Sequence, residues 1–171
     1  MDCILFRHGI AVEPEEWKGA EVQRPLTPKG AERVREGAAG LVRLGVVPTH
    51  ILSSPLLRAF DTAKIIRNTL RLRLEIRICD ELAPDAPPDK LLPLLAGLPE
   101  DACVICVGHE PHLGEAAGVL LFGQPVAGLS LKKAGACCVR FEGPPKAGPG
   151  MLRWWLTPSQ LRKLGEQWPT L

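Results

Sequence analysis

Cys3-Ile4-Leu5-Phe6-Arg7-His8-Gly9 opens the chain with an apolar run that ends in a guanidinium, an imidazole and a glycine. Two later stretches end in the same way. His50-Ile51-Leu52-Ser53 leads into Ser54-Pro55-Leu56-Leu57-Arg58, and Ala102-Cys103-Val104-Ile105-Cys106-Val107 leads into Gly108-His109-Glu110-Pro111. Short apolar runs bounded by Gly, Pro and polar residues are the mark of strands covered on both faces, as in a parallel sheet flanked by helices. Three such strands would deliver Arg7, His8, Arg58 and His109 to one rim, where Gly9 lets the backbone turn and come close to a ligand.

The charges of these four side chains point to phosphoryl chemistry. Paired guanidiniums bind phosphoryl oxygens through planar, bidentate contacts, while one imidazole attacks phosphorus and a second donates to the remaining oxygens. Arginines then supply the positive charge that a divalent cation would otherwise provide, so the pattern predicts neither metal nor other cofactor.

In the same order, the chain carries Arg7-His8-Gly9, Arg24-Pro25-Leu26-Thr27-Pro28-Lys29-Gly30, Ser54-Pro55 with Arg58-Ala59 and Thr62, Glu81-Leu82-Ala83-Pro84, and Gly108-His109-Glu110-Pro111. From Met1 to about Trp155 this succession resembles the histidine phosphatase superfamily, which includes the phosphoglycerate mutases. Within it, the chain is most similar to the short bacterial phosphohistidine phosphatases of the SixA type. The resemblance implies His8 as phosphoacceptor, Arg7 and Arg58 as phosphate clamps, His109 as the second catalytic histidine and Arg24 as a substrate-side cation. Gly9, Glu81 and Glu110 complete the candidate substrate and phosphate contacts, and the two carboxylates are the available general acids. Two positions depart from the family pattern. Ile10-Ala11-Val12-Glu13-Pro14 replaces a segment that often holds an Asn, and Glu110 stands where this subgroup leads one to expect Asn.

Element by element, strands alternate with helices. Thr27-Pro28 supplies an N-cap and a first-turn proline for a helix to about Leu44, ended by Gly45, and Ser54-Pro55 reads as the same device for a helix to about Leu70. On the second helix Leu56, Phe60, Ala63 and Ile66 form an apolar stripe, with Arg58 and Thr62 on another face near its positive end. Leu74–Ile78 reads as a strand, Asp89–Leu95 as a short helix and His112–Leu121 as a longer one. Ala136–Phe141 and Met151–Leu156 read as an antiparallel hairpin, and Thr157-Pro158 starts a last helix. The prediction is a single domain over 1–171: an α/β three-layer sandwich with a mostly parallel sheet and one antiparallel strand. Residues 12–23, rich in Glu, read as a solvated rim loop or as a lid that touches substrate.

With 171 residues the chain is long enough for one sizeable core, and a formal charge of +2, scattered among acidic residues, gives no reason to expect nucleic acid. No apolar stretch reaches the ~20 residues of a membrane span, and the N-terminus shows no secretory pattern, so a cytoplasmic location is expected. Cys103 and Cys106, three apart on a strand, must face opposite ways, as must Cys137 and Cys138; with Cys3 and Cys79 they read as reduced, buried small hydrophobes. His50 and His112 read as structural, and Lys132-Lys133 as a solvated pair or an extension of the cationic rim.

The function implied is removal of phosphate from phosphohistidine in a protein such as a histidine phosphotransfer domain, through a phosphohistidine on His8. An imidazole leaves phosphorus more readily than an alkoxide, which suits a site with no well-defined acid. The short stretch between the Arg58 helix and Glu81 leaves little space for the capping insertions with which superfamily relatives enclose sugar phosphates. A broad phosphatase of small phosphomonoesters is the alternative enzyme, and a phosphoprotein-binding module the non-catalytic one, although a mere binder has no need of His8.

Overall fold

Covering both faces of an extended run strips its backbone of water, so its N–H and C=O groups must pair sideways with other strands. The computed structural model describes residues 1–166 and joins six such runs into one sheet. These are β1 (Asp2–Arg7), β2 (His50–Ser53), β3 (Ile76–Ile78), β4 (Cys103–Gly108), β5 (Ala136–Arg140) and β6 (Met151–Leu156), in the order β3-β2-β4-β1-β5-β6. The first four are parallel, and β5 pairs antiparallel with both β1 and β6, so one strand runs against the other five. The expected α/β architecture is the observed one.

Side-chain alternation splits the core into two layers. Cys3, Leu5, Val104 and Cys106 face α3 (Leu91–Ala96) and α4 (His112–Phe122); Ile4, Phe6, Ile105 and Val107 face α1 (Pro28–Arg43), α2 (Leu57–Thr69) and α5 (Pro158–Glu166). Cys137 and Cys138 fall on opposite faces, as do Cys106 and Cys103, and all six cysteines are free. The hydrogen bond with Cys106, and then burial, push the Cys3 thiol well above its ordinary range, and burial does the same for Cys137, which keeps both protonated.

The first helix begins as its sequence predicts. Thr27 Oγ1 accepts from the Gly30 amide at 2.9 Å, Pro28 occupies the first turn, and Gly45 at φ +72° ends the element. The second helix corrects its expectation. It starts at Leu57 rather than at Pro55, its N-cap position is Leu56, and the Ser54 hydroxyl is turned toward His109 instead of capping. Its buried stripe is accordingly Ala59, Thr62, Ala63 and Ile66, with Phe60 only half-buried. The strand expected over Leu74–Ile78 pairs only at Ile76–Ile78, at the sheet edge. The helix expected over Asp89–Leu95 divides into a tight turn at Pro88–Lys90 followed by α3. Residues 167–171 of the expected single domain lie outside the described residues.

Two glycines of α1 make a test of how closely α5 packs. A Cβ on Gly37 would meet nothing nearer than 3.8 Å, whereas one on Gly40 would collide with the Leu161 carbonyl oxygen of α5. Gly37→Ala should therefore stabilise the protein by about 0.5–1 kcal/mol through helix propensity alone. Gly40→Ala should destabilise it by about 1–3 kcal/mol, since backbone must move. Urea denaturation of the two variants checks the pair, and equal shifts would contradict the packing described.

Candidate active site

Parallel pairing of β1 with β4 sets Arg7 level with Gly108, and pairing of β2 with β4 sets Ser53 level with Val107. The next residues along each strand therefore emerge together. His8 N donates to Gly108 O at 3.0 Å and Ser54 N to Val107 O at 2.9 Å, which carries the register one step past the sheet edge. The His8 and His109 rings lie with centroids 4.9 Å apart and planes inclined by 56°. Arg58 enters from the first turn of α2, and Arg7, His8, Arg58 and His109 thus meet at one rim, as the sequence predicts.

His8 is 6 % exposed, and its Nδ1–H donates to the Gly9 carbonyl oxygen at 2.7 Å. A carbonyl only accepts, so the proton of the neutral ring is on Nδ1 and the lone pair of Nε2 is left for attack. Burial is the main reason that the His8 pKa falls to about 3; Arg58, Arg7 and Lys133 lower it further, against the opposing effect of the Gly9 hydrogen bond. His109, 2 % exposed, is pushed down to about 2, first by burial and then by His8, Arg58, His112 and Arg7. Its Nε2 lies 2.8 Å from Ser54 Oγ, which also accepts from the Leu56 amide at 3.3 Å. A Ser54 hydroxyl that donates to Nε2 leaves the His109 proton on Nδ1.

That Nδ1 has no protein partner. Five buried side-chain nitrogens lack one among the described residues, and three of them are His109 Nδ1, Arg7 Nε and Arg58 Nε. Unsatisfied buried donors are rare in folded proteins, and three gathered at one rim form a cradle for an anion. The other two belong to His112, which is buried at the start of α4 and, expected to be structural, has neither ring nitrogen hydrogen-bonded among the described residues.

The arginines are held from opposite sides. Arg7 Nη1 donates to Leu131 O at 2.8 Å, and the Leu131 amide donates in turn to Glu110 Oε1 at 2.8 Å. Glu110 is thus a brace for the loop that positions Arg7 rather than a phosphate contact, because its carboxylate is committed to the backbone. Burial raises its pKa, and the Leu131 amide and Arg7 oppose that rise. Arg58 Nη2 lies 3.1 Å from Glu21 Oε1, and its Nη1 reaches Glu21 O at 3.4 Å. The same carboxylate accepts from Arg24 Nε and Nη2 at 2.8 and 2.9 Å, while Arg24 Nη1 donates to Val12 O at 2.6 Å. Arg24, expected as a substrate-side cation, is held in this way by the rim loop.

Gly9 departs from its expected role as well. Its amide donates to Thr62 Oγ1 at 3.1 Å, and Thr62 donates to Arg58 O at 2.7 Å, so this glycine ties the nucleophile loop to α2 and offers no amide to a ligand. A Cβ at Gly9 would stand 2.6 Å from Val34 Cγ2, which accounts for the glycine. Glu81 sits on the turn Asp80–Leu82, whose Leu82 carbonyl lies beside Gly108, and it makes no side-chain hydrogen bond or ion pair among the described residues. Ser54 and Glu21 are the functional neighbours that sequence reasoning missed. Ser54 reads locally as a cap, and the three-residue spacing of Glu21 and Arg24 signals their pairing without revealing Arg58. No group of three or more His, Cys, Asp or Glu among the described residues is arranged to hold a metal ion.

The chain is similar to known proteins. The histidine phosphatase superfamily (branch 1) pattern matches residues 3–83, which span Arg7-His8-Gly9, Arg24 and Arg58. A protein of Picosynechococcus sp. without an assigned function is 39% identical over 142 residues, covering 82% of this chain and 85% of its own. The phosphohistidine phosphatase SixA of Escherichia coli strain K12 is 24% identical over 164 residues, covering 95% of this chain and 97% of its own. A solved structure of the protein histidine phosphatase SixA complexed with tungstate superposes with a TM-score of 0.82 at 26% identity, covering 94% of this chain and 99% of that one. A putative alpha-ribazole-5'-P phosphatase of Escherichia coli shares the fold at a TM-score of 0.73 and 17% identity, covering 92% of this chain and 98% of that one. Fold, ordered signature residues and these relatives agree, and the chain belongs to the histidine phosphatase superfamily.

Proposed function

We propose that this protein is a cytoplasmic phosphohistidine phosphatase that works through a covalent phosphohistidine on His8. The observation that carries the proposal is the His8 tautomer, with Nδ1–H held by Gly9 O and the Nε2 lone pair free, beside unpartnered donors of Arg7, Arg58 and His109. In the first step the Nε2 lone pair attacks phosphorus, the P–N bond to the substrate imidazole breaks, and the departing ring nitrogen keeps that electron pair and takes a proton. In the second, water attacks phosphorus, the P–Nε2 bond breaks, and inorganic phosphate leaves with His8 restored. Arg7, Arg58 and His109 Nδ1–H hold the phosphoryl oxygens through both steps.

The carboxylates favour an easily released leaving group. Glu110 is committed to Leu131, Glu21 to two arginines, and Glu81 to nothing at the site. With Glu110 and Glu21 both engaged, a substrate that leaves as imidazole fits better than an alkyl phosphate. The likeness to SixA supports the same substrate class, and the free cysteines fit a reducing compartment. Turnover of a histidine-phosphorylated phosphotransfer domain, set beside a panel of sugar phosphates, tests the choice. Faster hydrolysis of the sugar phosphates would replace it with the small-phosphomonoester function.

His8→Ala should reduce turnover to background while the protein still unfolds cooperatively. Wild-type enzyme quenched in alkali, where P–N bonds survive, should carry label from substrate on His8; label on a cysteine or serine would refute the mechanism.

Buried neutral histidines also leave a mark on stability. Both folded pKa values, about 3 and about 2, lie below the ordinary 6.5, so the unfolded chain binds more protons between these limits. Stability is then complete above pH 6.5 and is lost as pH falls, by up to about 1.4 kcal/mol per pH unit for each histidine. His8→Gln should flatten this loss in urea titrations between about pH 6.5 and 4.5, and an unchanged slope would show that His8 is not held neutral.

Glu21 competes with the phosphoryl group for Arg58. Glu21→Gln should tighten tungstate binding and lower KM about threefold to tenfold with kcat nearly unchanged, on the scale of one exposed charge contact. Weaker tungstate binding would instead make Glu21 a support for Arg58.

A further inference from the structure

Beside the anion cradle runs a second concavity of about 530 Å³, whose apolar floor includes Ile10, Pro158 and the hydrocarbon stems of its long side chains, and whose charged groups are those of Arg7, Lys29, Arg33, Lys132, Lys133 and Arg162, with no carboxylate. Arg7 belongs to both, so the groove leads directly away from the phosphoryl clamp. Lys29, Arg33 and Lys132 have no carboxylate within 4.0 Å among the described residues; Lys133 reaches Glu13 only at 3.9 Å, and Arg162 pairs with Glu36 at 3.3 Å. The whole chain has a formal charge of only +2, so cations are concentrated here while the rest of the molecule is net acidic.

This concentration works against local stability. Lys29 occupies the first turn of α1, where the helix dipole is already positive and no acidic residue offsets it. Lys29 and Arg33, four apart on α1, repel one another, and Lys132 follows directly on the residue whose carbonyl holds Arg7. Self-repelling charges assembled around a groove are what an anionic ligand relieves.

Donor chemistry narrows the ligand. Lysine and arginine donate hydrogen bonds and accept none, so the groove suits a row of carboxylates and serves poorly for sugar hydroxyls, which need acceptors too. Its volume lies in the range of a ligand of several groups, larger than one further phosphate requires.

We propose that this groove docks an acidic segment of the phosphoprotein substrate, rich in Asp and Glu, beside the histidine that His8 dephosphorylates. This docking role rests on the phosphohistidine phosphatase function proposed above. It goes beyond that function in assigning substrate selection to residues outside the clamp.

The test uses the triple variant Lys29→Gln, Arg33→Gln, Lys132→Gln, which spares Arg7, and two substrates: a histidine-phosphorylated phosphotransfer domain with an acidic surface, and free phosphohistidine. On the protein substrate, kcat/KM of the variant should fall at least about tenfold and lose most of its salt dependence, while turnover of free phosphohistidine stays at the wild-type value. Polyglutamate should inhibit wild-type turnover of the protein substrate competitively and leave the variant's unaffected. Equal kcat/KM on the protein substrate would overturn the docking role alone, with the phosphatase function intact. An equal loss on free phosphohistidine would also overturn it, by making these cations part of the general field at the clamp. Wild-type enzyme inactive on both phosphohistidine substrates and active on sugar phosphates would overturn the function and the docking role together.

Discussion

Pairing of β1 with β4 is the constraint from which the site follows. Six successive parallel residue pairs, from Asp2 with Cys103 to Arg7 with Gly108, leave the two strands ending level. A one-residue slip would send the alternating side chains of one strand to the wrong faces of the core and separate the histidines along the rim. The register is therefore held by the burial of Cys3, Ile4, Leu5 and Phe6 against Val104, Ile105, Cys106 and Val107, and the spacing of His8 and His109 is a consequence of hydrophobic packing.

Bringing two histidines and two arginines to one buried edge has an electrostatic cost, and the molecule meets it in two ways. Burial and mutual repulsion keep both imidazoles neutral, so only the guanidiniums are charged. The outer face of Arg58 is then met by Glu21 and the inner loop beneath Arg7 by Glu110 through Leu131. Neutral His8 with its proton on Nδ1 keeps an Nε2 lone pair, and in the function proposed above an arriving phosphoryl group satisfies the unpartnered nitrogens beside it. The arrangement that is unfavourable in the resting protein is the one that the anion stabilises.

Position divides the carboxylates more sharply than their number. Glu110 follows His109 in the chain, yet its oxygen is spent on a backbone amide; Glu21 lies on a rim loop and reaches two arginines. With these two carboxylates engaged, the function proposed above takes a leaving group that departs without much help. The cationic groove beside Arg7 extends the same logic outward, from the charge of a phosphoryl group to that of the surface around it.

Strand order and helix caps were legible because the signals are local. Thr27-Pro28, Gly45 and the apolar runs act through neighbours within about four residues, and the ordered signature residues marked Arg7, His8, Arg58 and His109 without any coordinates. The remaining roles depended on partners far away in the chain. Ser54 meets His109 across 55 positions, Arg58 meets Glu21 across 37, Gly9 meets Thr62 across 53 and Arg7 meets Leu131 across 124. A serine before a proline reads as a cap until a distant imidazole takes its hydroxyl, and a glycine after a histidine reads as a ligand contact until a threonine takes its amide. The sequence by itself singled out the groups proposed to do chemistry and the strands that carry them. Only tertiary structure decided which of their hydrogen bonds were already taken, because each donor or acceptor serves few partners and the fold chooses among them.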